Sequence, residues 1–464
     1  MNAFAEDDRR RLKPLVDRWT DVFKRDTVIH LSLIGAITAA TFQGYLKDRI
    51  GGPVPYALAD LAFLAAVFIW FAGLAIRRMP ISGPGRLPHL VLVLILLPTF
   101  YLLHPGTPLV IEIAGLRAWA AYPIGTLIAL TVIRNVGQAR AYIGVVLVLC
   151  FITAIYGIMQ YLEGPDAALD TALGSLRHGS SVYYDITGTS RSEFRAFSTF
   201  TFPAPFAGMM VFGMLLATGI ALGSGCRRRT RLGMALLIPL FFAGMTASGT
   251  RAALVTLLVG LLVLGWYRGL RPGQFLLIPV MIGAFHIATL LTAGRVTERF
   301  TSIITSENIL WLRAYAPITI AGRALGESPF GIGLGRTGIG VPFSMFQAQP
   351  PGFFIGSDGD IGRAAVEMGV FGILLIVFIV FAIIPKASQA VRYLKAGPND
   401  DVALGIGAVI VSTSLIIFIG SPLSTAPHGM IWWIFLGIVL KLANLKEQQE
   451  EDFQTVPIKT VEDD

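Results

Sequence analysis

Charged residues and cysteines are both scarce in this sequence. Only 14% of its 464 residues are charged, whereas 54% are hydrophobic, and the mean hydropathy is +0.68. Soluble domains carry charge on about a quarter of their residues, so this composition excludes a disordered chain, a coiled coil and an ordinary soluble enzyme. The two cysteines lie in an apolar run and in a basic loop, which argues against a disulfide framework and a CxxC zinc site. The sequence therefore indicates a polytopic membrane protein.

Long apolar runs are the most prominent feature of the sequence. A membrane-spanning helix needs about 20 mainly apolar residues. Runs of this kind predict an all-α polytopic membrane protein with about 12 transmembrane helices. The predicted spans are 28–45, 55–76, 87–103, 118–134, 141–161, 201–223, 232–247, 252–267, 273–292, 364–384, 402–420 and 427–443. The seventh and eighth spans are separated only by residues 247–251, so we expect them to form a tight hairpin.

The distribution of Lys and Arg orients these spans. One side of the predicted membrane holds 24 of the 37 basic residues, including seven of the eight lysines, and the other side holds 13. Basic residues in short loops favour the cytoplasmic side, so both termini are predicted to be cytoplasmic. The net charge of +8 is then explained by membrane orientation, and no nucleic-acid partner is expected.

The segments outside the spans divide the chain further. Residues 1–27 form a basic tail with apolar residues at helical spacing, which predicts an amphipathic helix on the inner leaflet; a plain solvated tail is the alternative. The transmembrane bundle extends over 28–445, with long outer loops at 162–200 and 293–363. We expect both loops to be ordered and to contain short helices. Residues 446–464 are acidic and are predicted to be a disordered cytoplasmic tail.

Arginine dominates the outer side, where it accounts for twelve of the 13 basic residues. Its planar guanidinium binds phosphate through two parallel hydrogen bonds, which lysine does not match. Arg251 is the clearest candidate because it stands in the tight turn after Gly249, where a charge beside hydrocarbon is costly. The pattern predicts an anion site, and the alternative is snorkelling to the membrane interface. The outer set also contains Arg363 at a span end and Arg295, Arg299 and Arg323 in the long loop. The site candidates chosen from it are Arg117, Arg195, Arg251, Arg313 and Arg336.

A glycine-rich segment and a group of carboxylates lie before and within the tenth span. Residues 326–340 contain a GxGxG pattern, but no strand precedes it, so a dinucleotide site is a poor interpretation. Asp358 and Asp360 precede the span, and Glu367 lies in its first turns. A carboxylate beside apolar surface can act as a base. Helix capping and pairing with Arg363 are the structural alternatives.

His428 lies at the outer end of the last predicted span. It follows Pro427, and proline suits the first position of a helix. We therefore expect His428 to cap the helix or to line the substrate site, ahead of a catalytic role.

Five short patterns occur in order along the outer side. They are GLR at 115–117, RAFSTFTFP at 195–203, TASGTRAA at 246–253, Arg313 ahead of PFGIG at 329–333, and GVFG at 369–372. Because these patterns occur together and in this order, the chain resembles the O-antigen ligase and polysaccharide polymerase superfamily, the WaaL- and Wzy-type proteins. The resemblance covers most of the chain. It implies a WaaL-like or GT-C-like protein of the bacterial inner membrane, with its active site facing the periplasm.

The resemblance implies a glycosyltransferase that polymerises oligosaccharide repeats. Its donor and acceptor would be glycans linked to undecaprenyl pyrophosphate, and a chain-length regulator (co-polymerase) is a candidate partner. Arg251 and Arg313 would hold the departing pyrophosphate, and Asp358 would act as the base. Because the cations are arginines, neither a metal nor a cofactor is expected. The substrate-binding candidates are Arg117, Arg195, Arg336, Asp360, Glu367 and His428.

One departure from the family bears on which reaction is expected. Ligases of this family carry a histidine eleven positions before the first glycine of the GxxG pattern, and this chain has Asp358 there. The departure favours the polymerase over a ligase that transfers the glycan to lipid A-core. A lipid-linked sugar transporter or flippase is the other alternative. It is disfavoured because polar residues concentrate at the outer surface and not at mid-membrane.

Overall fold

The computed structural model is built almost entirely of helices. It describes residues 26–50, 54–77, 87–105, 107–165, 183–185, 192–269, 307–338, 359–397, 399–418 and 420–455, together with the single positions 283 and 286. The predicted ninth span, nearly all of the basic N-terminal tail and Asp358 lie outside the described residues.

The described helices follow one another in chain order, with long breaks after α6, α9 and α10. They are α1 Asp26–Thr41, α2 Gln43–Ile50, α3 Val54–Arg77, α4 Leu87–Thr99, α5 Leu109–Val132, α6 Val136–Glu163, α7 Pro203–Leu222, α8 Arg228–Ala247, α9 Arg251–Arg268, α10 Glu307–Glu327, α11 Asp360–Leu394, α12 Asp400–Leu415 and α13 His428–Thr455. Strands β1 (Tyr183–Asp185) and β2 (Ser192–Phe194) form a short antiparallel ribbon. Helices α5 and α11 each contain one π-helical turn.

Eight described helices are long and apolar enough to cross a membrane, and α1 with α2 makes a ninth candidate. This confirms a helical membrane protein, but the structure does not reach the predicted count of twelve. The first predicted span is broken by a bend of 65° between α1 and α2. Helices α4 and α12 have 13 and 16 residues and fall short of a full span, and 273–292 is outside the described part of the chain.

The described parts of the loops and of the tail can be compared with their predictions. The first outer loop carries the β1–β2 ribbon, and residues 166–182 and 186–191 lie outside the described residues, so the short helices expected in this loop stay a prediction. The second contains α10, a helix of 21 residues, because its apolar side chains recur at helical spacing. The predicted disorder from Lys446 onward is wrong over its first part, since α13 continues to Thr455.

Helix α7 is the centre of the bundle. It is apolar around its whole circumference, and 15 of its 20 residues are buried against α6, α8, α9, α12 and α13. A helix of this kind is stable only inside a bundle or in lipid. Small residues allow the closest approach: a Cβ at Gly219 of α7 would lie 2.4 Å from the Cα of Gly405 in α12. Such contacts are the common means of helix association in membranes.

The contacts of α7 distinguish two ends of the bundle. At its C-terminal end, Gly223 packs against Asp401 at the start of α12; we call this the basal end. At its N-terminal end, Gly208 packs against His428, the first residue of α13. The end of α8, the start of α9 and the start of α11 lie at this second end, which we call the upper end. The sequence predicts that the basal end is cytoplasmic.

Two aspartates at the start of α12 hold the basal end together. Asp400 accepts hydrogen bonds from the amides of Ser224 and Gly225, at 2.9 and 3.1 Å, and from Arg268 of α9 at 3.0 Å. Asp401 accepts two hydrogen bonds of 3.1 Å from Arg140 of α6. Burial alone raises the pKa of Asp400, but these hydrogen bonds outweigh it and lower the pKa below its usual value.

A glycine produces a kink in α11 that positions the upper end. Gly369 has φ 61° and ψ −138°, a conformation open to glycine and not to residues with a side chain. A Cβ there would lie 2.1 Å from the carbonyl oxygen of Pro329. The kink thus lets the glycine-rich segment after α10 lie directly on the backbone of α11.

We expect Gly369→Ala to lower the free energy of unfolding by at least about 1–3 kcal/mol, because the side chain is strained in this conformation and collides with Pro329. Thermal unfolding in detergent micelles measures the change. Gly322→Ala on exposed α10, where a Cβ meets nothing within 4 Å, is the matched control and should be neutral or slightly stabilising. Equal stability of the two variants would contradict the role of the kink.

We expect Asp400→Asn to cost about 1.5–3 kcal/mol at neutral pH, since it weakens charged hydrogen bonds. A pKa that is lowered by folding stabilises the fold above the ordinary aspartate value, and this stabilisation is lost as the pH falls. The difference in Tm between wild type and variant should therefore be constant from about pH 5 to 8 and shrink below about pH 4. Glu327→Gln, in an exposed pair, is the control and should show no such difference.

Candidate functional site

A fully buried ion pair lies at the upper end, in the first turns of α11. The guanidinium of Arg363 donates from Nε to Oε1 of Glu367 at 3.1 Å, and both side chains are 0% exposed. Arg363 also lies over the ring of Trp119, 5.2 Å from its centroid. A buried charge is tolerated only when it is paired and hydrogen-bonded, and each oxygen of Glu367 accepts at least one further donor. Trp119 Nε1 donates at 2.8 Å and Thr337 Oγ1 at 2.5 Å.

The glycine-rich segment that follows α10 is held by this part of α11. The amides of Ile332 and Gly333 donate to the carbonyl oxygens of Val366 and Glu367, at 2.9 and 3.2 Å. Gly335 is equally close to α5, since a Cβ there would lie 2.4 Å from the carbonyl oxygen of Ile111. The close spacing of glycines in this segment is thus explained by backbone contact on two sides. We call residues 328–338 the glycine loop.

The glycine loop presents Arg336 beside a cluster of polar residues. Arg336 donates from Nε to the hydroxyl of Thr107 at 3.0 Å, and that hydroxyl donates to the carbonyl oxygen of Ile332 at 3.1 Å. Partial burial lowers the pKa of Arg336, and the charge of Glu112 opposes the shift. Glu112 is 1% exposed, and its Oε1 has no hydrogen-bond partner among the described residues.

A second arginine organises the tight turn between α8 and α9. Arg195 donates from Nε to the carbonyl oxygen of Ser248 at 3.0 Å and from a terminal nitrogen to Thr250 Oγ1 at 2.9 Å. The amide of Ala196 donates to the carbonyl oxygen of Ala247 at 3.1 Å. Arg251, which directly follows Thr250, is the first residue of α9. The break between α8 and α9 is thus as short as predicted, and it places a cation at a helix N-terminus, where anions are stabilised.

An apolar groove opens between α4 and α11 below the glycine loop. It has a volume of about 390 Å³, and most of its lining is aromatic or aliphatic. The ring of Phe330, from the glycine loop, stacks at 6.2 Å on that of Phe371, just after the kink of α11. The lining residues are Leu97, Phe100, Tyr101, His104, Phe330 and Phe371.

The structure places Asp360, Glu367 and His428 in packed surroundings. Asp360 is buried and accepts a hydrogen bond from the amide of Leu423 at 2.9 Å and another from the hydroxyl of Ser424, so it ties α11 to the start of α13. Glu367 is the buried partner of Arg363. His428 is buried against Gly208, and its Nε2 has no partner among the described residues. Each of the three thus has packing contacts in the structure, and its predicted part in substrate binding stays a prediction.

The contacts of the predicted arginines divide them into groups. At the upper end, the guanidinium of Arg117 forms an ion pair with the carboxylate of Asp60 in α3. Arg195, Arg251 and Arg336 lie on or beside turns at the same end. The backbone of Arg313 belongs to α10, but its side chain lies outside the described residues, as does all of Asp358. Their predicted convergence with Arg251 therefore stays a prediction.

Glu112 and His104 were not among the predicted site residues. Glu112 is the one charge in an apolar stretch, LVIEIAGL, and a lone carboxylate in such a run is a signal of a functional or buried polar site. His104 follows the 3₁₀ turn after α4, and nothing in its sequence neighbourhood distinguishes it. Its link to the site is that the glycine loop, more than 200 residues later, folds back onto Thr107.

The chain matches no family model and no curated protein in the comparisons made with known proteins. Its function is therefore inferred from the chemistry of the upper end. The described residues there offer arginines on rigid turns, a buried carboxylate and an apolar groove. No group of three or more metal-ligating side chains occurs in the described parts of the chain.

We expect Glu367→Ala to destabilise the protein by about 3–5 kcal/mol, because it leaves the charge of Arg363 buried without its partner. The double variant Arg363→Met with Glu367→Leu should recover much of that loss, since apolar residues of similar volume can replace a buried pair. Chemical unfolding in detergent measures both. A double variant as unstable as the sum of its single variants would contradict this account of the pair.

Proposed function

We propose that this chain is a membrane glycosyltransferase that polymerises undecaprenyl-pyrophosphate-linked oligosaccharide repeats into an envelope polysaccharide or exopolysaccharide. The turn in which Arg195 binds Ser248 and Thr250, directly before Arg251 at the start of α9, is the observation that carries the proposal. This arrangement suits a leaving group with two phosphates, because a fixed cation and a helix N-terminus both stabilise developing negative charge without rearrangement.

In the proposed reaction, a hydroxyl oxygen of the acceptor glycan attacks the anomeric carbon of the donor. The new carbon–oxygen bond forms as the bond to the pyrophosphate breaks, and the electron pair leaves with undecaprenyl pyrophosphate. Asp358 takes the hydroxyl proton, while Arg251 and Arg313 bind the departing phosphates. Both substrates are amphiphiles, and the apolar groove beside α4 is compatible with a lipid chain.

The proposed setting is the bacterial inner membrane, with both termini in the cytoplasm and the upper end facing the periplasm. The basic loop 227–231 follows Ser224 and Gly225, which bind Asp400 at the basal end, and Arg140 and Arg268 lie at the same end. This distribution agrees with the charge rule for cytoplasmic loops. A chain-length regulator is the proposed protein partner.

We expect the purified protein in proteoliposomes to convert lipid-linked repeats alone into a ladder of longer glycans. Arg251→Ala should lower the rate by about 100-fold or more, because loss of one electrostatic donor in a transition state has this effect. Asp358→Asn should remove the base and lower the rate similarly. Gel separation of the labelled glycans measures both.

Arg323→Ala is the matched control, since this arginine is 72% exposed on α10 and pairs with Glu327 on the same helix. It should polymerise at the wild-type rate. A product that forms only when lipid A-core is added would replace the polymerase with the ligase. Transport of the lipid-linked glycan across the vesicle without any new glycosidic bond would overturn both.

A further inference from the structure

We propose that the apolar groove between α4 and α11 binds the isoprenoid chain of a polyprenyl phosphate-type lipid, with its phosphate at Arg336 and His104. This inference rests on the proposed function and specifies where one of its lipid substrates lies. It concerns a different part of the upper end from the turn of Arg195 and Arg251. A reaction between two lipid-linked substrates needs two separate binding sites for their lipid chains.

The shape and lining of the groove suit a branched hydrocarbon chain. Its volume of about 390 Å³ falls within the range of about 300–1,000 Å³ that is usual for small-molecule pockets. Leu97, Phe100, Phe330 and Phe371 supply apolar surface. Phe100 and Phe330 are 76% and 64% exposed, so the groove is open along one side. In a membrane this side faces hydrocarbon, from which a lipid chain enters without desolvation.

The end of the groove nearest the glycine loop is polar. His104 lines the groove, and its buried Nδ1 has no hydrogen-bond partner among the described residues. A Cβ at Gly333 would lie 3.3 Å from that nitrogen and 2.3 Å from Thr107 Oγ1, the atom that accepts the hydrogen bond from Arg336. Thr107 thus lies between a buried imidazole nitrogen that has no hydrogen-bond partner among the described residues and the guanidinium of Arg336, and a phosphate bound there could accept from both groups.

The surrounding backbone fixes the position of the apolar wall of the groove relative to its polar end. The glycine loop carries both Phe330 of the apolar wall and Arg336 of the polar end, and its amides bind the backbone of α11. Tyr101 donates its hydroxyl to the carbonyl oxygen of Met368 at 2.7 Å and so joins α4 to α11 at the kink. A rigid binding site of this kind loses little conformational entropy of its own when a ligand binds.

Glu112 is the titratable group that opposes an anion here, because its carboxylate interacts with Arg336. Substituting Glu112 therefore provides a test in which phosphate binding is expected to become stronger. Removing its charge should strengthen the binding of a phosphate, whereas removing the charge of Arg336 should weaken it. A merely apolar groove that accepts any acyl chain would respond to neither substitution.

The test uses a photoreactive polyprenyl phosphate with the full-length protein in nanodiscs. We expect cross-links on peptides that contain Phe330 and Phe371, with competition by unlabelled undecaprenyl phosphate but not by phosphatidylglycerol. Arg336→Gln should raise the apparent Kd by about tenfold through loss of a charge-assisted hydrogen bond, and Glu112→Gln should lower it. Equal competition by phosphatidylglycerol would assign the groove to bilayer lipid and overturn the proposal.

A matched pair of phenylalanines on α11 tests the apolar wall. Phe371→Ala should weaken binding of the probe, whereas Phe381→Ala, which removes an equal side chain at a site 75% exposed and outside the groove, should not. Thermal unfolding shows whether each variant is folded. Equal binding by the two folded variants would overturn the assignment of the groove.

The outcome for the groove can be separated from the outcome for the enzyme. Probe binding is measured without turnover, and polymerisation is measured with lipid-linked repeats. Wild-type protein that polymerises repeats but cross-links outside the groove overturns the proposed lipid site and leaves the function standing. Protein that binds the probe in the groove but forms no glycosidic bond supports the lipid site and overturns the function.

Discussion

The carboxylate of Glu367 is the contact on which the upper end depends. It neutralises Arg363, accepts from Trp119 of α5 and from Thr337 of the glycine loop, and so joins three separate parts of the chain at one buried point. Such a pair adds little net stability compared with apolar packing, but an unpaired charge at this depth is very costly. The consequence is specificity of arrangement, because other placements of the loop leave a buried charge without partners.

The arginines of the upper end then fall into two groups with different chemistry. Arg363 and Arg117 are ion-paired with Glu367 and Asp60 and stabilise the packing of helices. Arg195 donates to the carbonyl oxygen of Ser248 and to Thr250, and Arg336 donates to Thr107, so both side chains hold turns of the upper end. The proposed anion sites lie at these turns and at Arg251, the first residue of α9.

The sequence predicts the helical membrane class well because hydropathy acts locally, within a single span. The bend between α1 and α2 and the short α12 were missed, since both depend on how helices pack around other segments. The tight turn before Arg251 could be read directly from a break of five residues. Glu112 carried a signal, as the lone charge of an apolar stretch, but the role proposed for His104 could not be read from the sequence, because Thr107 meets the glycine loop across more than 200 residues.

The position of α7 at the centre of the bundle has a consequence for how the protein is made. This helix is synthesised before α9, α12 and α13, which cover much of its surface in the finished fold. In the growing chain, we expect lipid to cover those faces until the later helices displace it. Because lipid and leucine are equally apolar, this last step is driven by close packing such as that of Gly219 on Gly405. The final helices thus complete the core of the bundle and do not merely enclose it.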